Sequence, residues 1–209
     1  MVDTVTMWIE AIMGTEWVYP IVGLLIFGDC FFPVLPSEIP LNMAGAWAGS
    51  QGFPHLPTMF FVALVAAMLG DNLCFLLGTR FMPLLNRIQK GTKAYEALSW
   101  VKRNVRRGGG AAIIIARFIP SARLFMTILL GSMRFPWPVF LFFDTIGVML
   151  WAFQALAIGY VGGLAFSDTP LFAMVISIIA AVFIGLGLQK AQNSIMEWWD
   201  TRRGYAETP

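Results

Sequence analysis

Two stretches flanked by apolar residues combine ionisable side chains with proline, and they carry opposite signs. The first is Asp29-Cys30-Phe31-Phe32-Pro33-Val34-Leu35-Pro36-Ser37-Glu38, and the second is Arg117-Phe118-Ile119-Pro120-Ser121-Ala122-Arg123. An ionised side chain at bilayer depth costs roughly 2.5–3.5 kcal/mol on insertion scales, so such residues mark functional positions or tightly paired ones. Proline there interrupts a helix and frees backbone carbonyls, which is tolerated where the backbone is buried in protein or lines a watered cavity. A guanidinium is a planar fork that binds pairs of oxygens and keeps its charge, which suits phosphate. A carboxylate in a desolvated setting resists ionisation, which makes it a candidate proton carrier. Arg117 and Arg123 are therefore expected to receive an anionic group. Glu38, with Asp29 as partner, is expected to take up and release protons, with Pro36 and Pro120 shaping the two tips. A plainer reading competes: the acids and arginines pair with each other and lock the fold, provided the geometry offsets their desolvation.

Asp71, in Leu69-Gly70-Asp71-Asn72, and Asp144, in Phe143-Asp144-Thr145-Ile146-Gly147, are further acids inside apolar runs. Each either supports the charged site or makes a helix-packing hydrogen bond. The rest of the inventory argues against bond-breaking chemistry. His55 is the only histidine, and Cys30 and Cys74 read as small apolar fillers. There is no metal-ligand spacing, no nucleophile–histidine pair and no phosphate-binding glycine loop. No catalytic residue, metal or cofactor is expected, and the chain is read as a mover of molecules, not an enzyme.

These residues must be positioned by membrane helices. Of 209 residues 58% are apolar, with a mean hydropathy of +0.72, against about 45–50% apolar in soluble domains. The net charge of +2 is small and forms no aromatic-laced basic patch, which sets nucleic acid aside. Residues 3–16 look like an amphipathic helix in the interface, with 1–16 as an N-terminal element. Residues 17–32 and 39–49 are apolar arms too short to cross a core of about 30 Å, which needs about 20 residues. They suggest a re-entrant hairpin over 17–50. Residues 57–79 can cross. After a polar loop at 80–108 the pattern returns, with a hairpin over 109–134 and crossing segments at 138–163 and 171–189. The expected fold is an all-α polytopic membrane protein. It comprises two repeats, each a re-entrant helical hairpin followed by a transmembrane helix, plus a C-terminal transmembrane helix. The membrane domain covers 17–190 and a polar tail 191–209.

Eight of the fourteen lysines and arginines lie between Arg80 and Arg107, and Lys190, Arg202 and Arg203 follow the last apolar segment. The positive-inside rule puts the 80–108 loop and the C-terminus in the cytoplasm and the N-terminus outside, so the two repeats are inverted and their tips can meet near the midplane. The basic loop also suits anionic headgroups. The first basic residue is Arg80, so the N-terminal stretch lacks the basic region of a secretory signal.

Motif by motif the chain resembles the bacterial DedA membrane proteins, with their SNARE-associated or VTT domain, over roughly residues 17–165. The family's acid-x₃-Pro-x-x-Pro-[Ser/Gly]-Glu and Ala-Gly pattern is met by Asp29, Pro33, Pro36, Ser37, Glu38, Ala44 and Gly45. Gly70, Asp71, Gly78 and Arg80 match a second stretch, and Gly109, Ala112, Arg117, Phe118, Pro120 and Arg123 a third. Phe140, Asp144, Gly147 and Trp151 match a fourth. Three positions depart. The first acid is Asp where Glu is frequent, Leu129-Leu130-Gly131 replaces Pro-Ala-Gly, and Asp144 stands where the family has Asn or Thr. The resemblance implies two facing hairpins and lipid translocation at the bacterial cytoplasmic membrane, dependent on proton-motive force. The lipid it implies is a polyprenyl phosphate (undecaprenyl phosphate) or a phospholipid. The expected partners are therefore membrane lipids and protons, with a homo-oligomer left open. A proton-coupled carrier of a small ion or solute, and a non-transporting membrane-organising protein, are the alternatives.

Overall fold

The computed structural model describes residues 11–31, 37–80, 110–117 and 122–165. Among these residues every regular element is a helix: α1 Val18–Asp29, α2 Glu38–Gln51, α3 Leu56–Arg80, α4 Ala111–Arg117, α5 Ala122–Ser132 and α6 Trp137–Ala165. The tip prolines Pro33, Pro36 and Pro120 lie outside the described residues, as do the crossing segment at 171–189, the 81–108 part of the basic loop, and the polar tail. Of the 3–16 stretch, the described part is helical at 11–13, and Met13 is buried against the core.

The helices fall into two length classes. α3 and α6, with 25 and 29 residues, are long and apolar enough to cross a membrane. At 1.5 Å per residue they run about 37 and 43 Å. α1, α2, α4 and α5 have 12, 14, 7 and 11 residues, and the longest reaches only about 21 Å. Their ends have local causes. α2 stops at Gly52, whose φ of 75° places it in the left-handed region that a Cβ disfavours. α5 ends in a Schellman turn, in which Phe135 N–H donates to Leu130 O and Arg134 N–H to Gly131 O, both at 3.0 Å. Arg134 takes the left-handed position there with φ 52°. Pro138 falls in the first turn of α6, where a missing N–H is harmless.

The packing has a crossed pattern. α1 lies on α3 and α4 on α6, whereas α2 lies on α6 and α5 on α3. Glycines allow the two crossed contacts. A Cβ on Gly45 would meet Leu156 O and Gly159 Cα, and one on Gly159 would meet Asn42 O. Across the other contact, a Cβ on Gly131 would meet Phe75 O and Gly78 Cα, and one on Gly78 would meet Ile128 O. In both interfaces the carbonyl that is met belongs to the residue three before the partner glycine. Apolar transfer gives helices little reason to associate in lipid, so close backbone approach through small residues is what holds such pairs. Ser132 adds a hydroxyl set between the carbonyls of Gly78 (2.7 Å) and Ile128 (2.8 Å). One apolar cluster joins α1, α2, α3 and α6 around Ile26, Leu41, Met59 and Val148. A second joins α3 to α4, α5 and α6 around Leu130 and the stacked rings of Phe75 and Phe140, 4.6 Å apart. Leu24, Phe61, Leu69, Phe125 and Phe153 point outward, as side chains facing lipid do.

Candidate functional site

Where the four short helices meet the two long ones, five charged side chains form one chain of contacts. Arg117, the last residue of α4, places Nη1 2.6 Å from Asp71 Oδ2 on α3 and 3.0 Å from Asp144 Oδ1 on α6. Arg123, in the first turn of α5, places Nη2 3.0 Å from Asp29 Oδ2 at the end of α1. Its Nη1 lies 3.7 Å from Asp71 Oδ1. Asp71 thus sits between the two arginines, and the order runs Asp144, Arg117, Asp71, Arg123, Asp29.

The local sequence explains each placement. The Arg117 stem packs beside Gly147 on α6, where a Cβ would lie in van der Waals contact with Arg117 Cδ at 3.4 Å. The Arg117 guanidinium lies over the Trp151 ring, one turn further along α6, at 5.5 Å from its centroid, a cation–π distance. Gly70 lets α1 approach α3, since a Cβ there would collide with Cys30 Sγ. Arg123 Nη2 donates to Asp29 O at 3.2 Å, which satisfies a carbonyl at the open C-terminal end of α1. Arg123 Nη1 also reaches Cys30 Sγ at 3.5 Å. Ser37, at the start of α2, donates its hydroxyl to Asp29 Oδ2 at 2.7 Å and ties the start of α2 to the end of α1.

Burial is graded along the chain of contacts. The side chains of Arg117 and Asp71 are 3% and 2% exposed, and those of Arg123 and Asp29 15% and 13%. Several buried polar atoms lack a hydrogen-bond partner among the described residues: Arg117 Nε and Nη2, Asp144 Oδ2 and Asn42 Oδ1. Nε and Nη2 are the two donors of the side-on edge of a guanidinium, the edge that takes two oxygens at once. Arg117 therefore spends one nitrogen on two carboxylates and keeps a two-donor edge unspent. Such an edge has the geometry to receive two oxygens of an anionic group. Among the described residues no group of side chains suits a metal ion.

The four charges singled out first are not all brought together. Asp29, Arg117 and Arg123 join the network. Glu38 lies in the first turn of α2, where a negative charge suits the helix N-terminus, but it is exposed and makes no ion pair among the described residues. Asp71 and Asp144, read from sequence as supporting residues, are the carboxylates that hold Arg117. Their centrality depends on which span faces which tip, and spacing alone does not carry that information. Asn42, buried on α2 with Nδ2 donating to Glu38 O at 3.2 Å, was not singled out by sequence. The signal for it was a lone amide in an apolar arm, four residues after an acid.

Comparison with known proteins gives the family of the chain. The VTT domain family model matches residues 33–161. An uncharacterized membrane protein of Mycobacterium tuberculosis (strain ATCC 25618 / H37Rv) is 31% identical over 193 residues, covering 89% of this chain and 82% of its own. Another from the same strain is 27% identical over 182 residues, covering 83% and 84%. Protein DedA of Escherichia coli (strain K12) is 29% identical over 152 residues, covering 70% and 69%. No solved structure matches. The matched span takes in Asp71, Arg117, Arg123 and Asp144 and the helices that present them, and the chain belongs to the VTT domain family as a DedA-type membrane protein.

Proposed function

We propose that this protein moves an anionic lipid between the leaflets of the bacterial cytoplasmic membrane, with its phosphate received by Arg117 and Arg123 and its movement dependent on protons. The observation that carries the reading is the side-on edge of Arg117, buried and without a partner among the described residues. Burying a charged donor pair unused is costly, so it persists where a ligand uses it. Arg123 is the more accessible of the two arginines, and its contact with Asp29 is one that a phosphate can replace. Glu38, exposed beside Ser37 and Asp29, lies where protons can reach the network. Within this reading a polyprenyl phosphate is the first choice of lipid and a glycerophospholipid the second, as the DedA resemblance implies.

The same reading makes α1–α2 and α4–α5 re-entrant hairpins within two inverted repeats. Three observations support it. None of the four helices reaches the roughly 30 Å needed to cross. The short-on-long contacts, α1 on α3 and α2 on α6, become α4 on α6 and α5 on α3 when the first three helices are exchanged with the last three. The glycine contacts correspond residue for residue, with Asn42, Gly45, Leu156 and Gly159 answering to Ile128, Gly131, Phe75 and Gly78.

A second reading, in which the charges only lock the fold, is favoured by the close ion pairs that already hold both arginines. One experiment separates the two. Purified protein is reconstituted in liposomes with labelled polyprenyl phosphate or phosphatidylglycerol, and leaflet exchange is followed beside Arg117→Lys and Arg123→Lys. Transport predicts exchange faster than in protein-free liposomes and its loss in folded lysine variants, since a point charge lacks the fork. Exchange no faster than in empty liposomes overturns the transport reading.

A further inference from the structure

We propose that Asp144 is a proton-binding site, with one proton held at its Oδ2 and exchanged as the protein works. The inference deepens the transport reading, on which its role in coupling rests. The proton site itself stands on the charges and contacts alone.

Among the described residues Asp29, Asp71 and Asp144 pair only with Arg117 and Arg123. Three carboxylates against two guanidiniums leave a formal surplus of one negative charge. An uncompensated charge in a low-dielectric interior is strongly unfavourable, and a single proton removes it. The contacts decide which carboxylate takes it. Asp71 has an arginine at each oxygen, Arg117 at Oδ2 and Arg123 at Oδ1. Asp29 Oδ2 accepts from both the Ser37 hydroxyl and Arg123. Asp144 has one partner, Arg117 Nη1, which it shares with Asp71, the nearer of the two at 2.6 Å against 3.0 Å. Its Oδ2 is buried without a partner among the described residues. Hydrogen bonds and nearby cations keep a carboxylate ionised; Asp144 accepts one hydrogen bond, as Asp71 does, but lies against one arginine where Asp71 lies against two.

The surroundings agree from every side. α3 turns Asp71 toward this region, α4 turns Arg117, and α5 contributes Arg123 on the far side of Asp71. α2, packed on α6 as well, carries only Glu38, which is exposed. The thiols of Cys30 and Cys74 belong to the Asp29 side, one against Arg123 and the other donating to Cys30 O. The neighbouring Thr145 hydroxyl is occupied by Leu141 O at 2.7 Å. A charged Asp144 competes with an incoming phosphate for Arg117, and a protonated one does not. Proton uptake at Asp144 therefore favours anion binding at Arg117, and raising the pH reverses it.

The test is infrared difference spectroscopy of the full chain in lipid nanodiscs, acid minus alkaline. A protonated buried carboxyl gives a C=O stretching band that titrates. The band is expected in the natural protein and in Glu38→Gln, and absent in Asp144→Asn. A band that persists in Asp144→Asn, or one lost in Glu38→Gln, overturns the proposal. Asparagine is a neutral isostere of the protonated acid, so Asp144→Asn is expected to fold, and its failure to fold also counts against a resident proton. Asp144→Glu should keep a band at a displaced frequency, and losing it would overturn the assignment. In liposomes, Asp144→Asn should make exchange independent of pH. If the natural protein moves no lipid but shows the band, the transport reading falls and the proton site stands.

Discussion

The two halves of this molecule match in their packing and differ in their charges. α1–α3 and α4–α6 place a short helix on the long helix of their own half and another on that of the opposite half, and both crossed contacts close through paired glycines. The ionised groups follow no such correspondence. The first half supplies Asp29 and Asp71 to the network, and the second supplies Arg117, Arg123 and Asp144. Every guanidinium in the network comes from the second half, and each is held by an acid from the first. A scaffold assembled twice needs only that each half bury the same kind of surface. A site that binds one charged group needs asymmetry, because two equal charges facing across an axis would repel. The charged network is accordingly confined to the seam, where neither half is complete alone.

The largest effect follows from removing the residue that joins the halves most deeply. Arg117→Ala leaves Asp71 and Asp144 buried without their shared cation, and breaking a buried pair by deleting one partner costs about 3–5 kcal/mol. The variant is expected to accumulate poorly and to melt far below the natural protein, as a thermal shift in detergent would read. Asp71→Asn, Asp144→Asn and Arg117→Ala combined should recover stability, since the combination leaves no orphaned charge at that end. A triple variant as unstable as Arg117→Ala would mean that the ion pairs are not the reason for the loss.

Arg123→Ala is the sharper probe of function. Arg123 and Asp29 are the more exposed end of the network, and hydrogen bonds to charged groups are worth about 1.5–3 kcal/mol. The protein should still insert and fold while lipid exchange is abolished. Near-normal exchange in the folded variant would remove Arg123 from phosphate binding and leave Arg117 as the sole anion-binding residue.

Much of this was legible in the sequence, and the reasons differ by residue. Arms broken by Pro36 and Pro120 were too short to cross, and the described helices end within a few residues of the expected limits. Arg117, Arg123 and Asp29 stood out because charge is rare at bilayer depth. The sequence did not reveal the pairing. Asp29 and Glu38 flank one tip symmetrically in the chain, yet the end of α1 brings Asp29 to the network and the start of α2 turns Ser37 toward it and leaves Glu38 outside. Asp71 read as either a supporting or a packing acid, and its place between the two arginines depends on α3 lying against both α1 and α5. Such facts depend on rotation about helix axes, and an apolar helix buried on several sides has no hydrophobic stripe to fix its rotation in advance.

The glycine contacts test whether the packing of the two halves is equivalent. Gly78→Ala drives a methyl group into Ile128 O, and Gly159→Ala drives one into Asn42 O. Overpacking of this kind costs about 1–3 kcal/mol, and the two variants should lose similar stability in equilibrium or thermal unfolding. Gly28→Ala is the control, because a Cβ there meets nothing within 4 Å. In the last turn of α1 it should be neutral or stabilising by at most about 0.5–1 kcal/mol. A large loss at one crossed glycine and none at the other would break the correspondence.

The smallest perturbation tests the sidedness on which inversion depends. In a background without Cys30 and Cys74, single cysteines replace His55, in the turn before α3, and Lys93, in the basic stretch after it. His55 is exposed; its backbone N–H donates to Tyr19 Oη at 2.9 Å, which a cysteine keeps, and the ring contact a cysteine loses, Nδ1 with Thr58 Oγ1 at 3.3 Å, is itself exposed. Neither change should alter stability or exchange measurably. With an impermeant thiol reagent, position 55 should label in intact cells and position 93 only after the membrane is opened, because the lysines and arginines retain their side of the membrane. The reverse result would invert the whole molecule but keep the two halves opposed. Labelling of both positions from one side would mean that α3 does not cross. The matching glycine contacts would then relate two halves of the same orientation, and the charged seam would no longer be a route between leaflets.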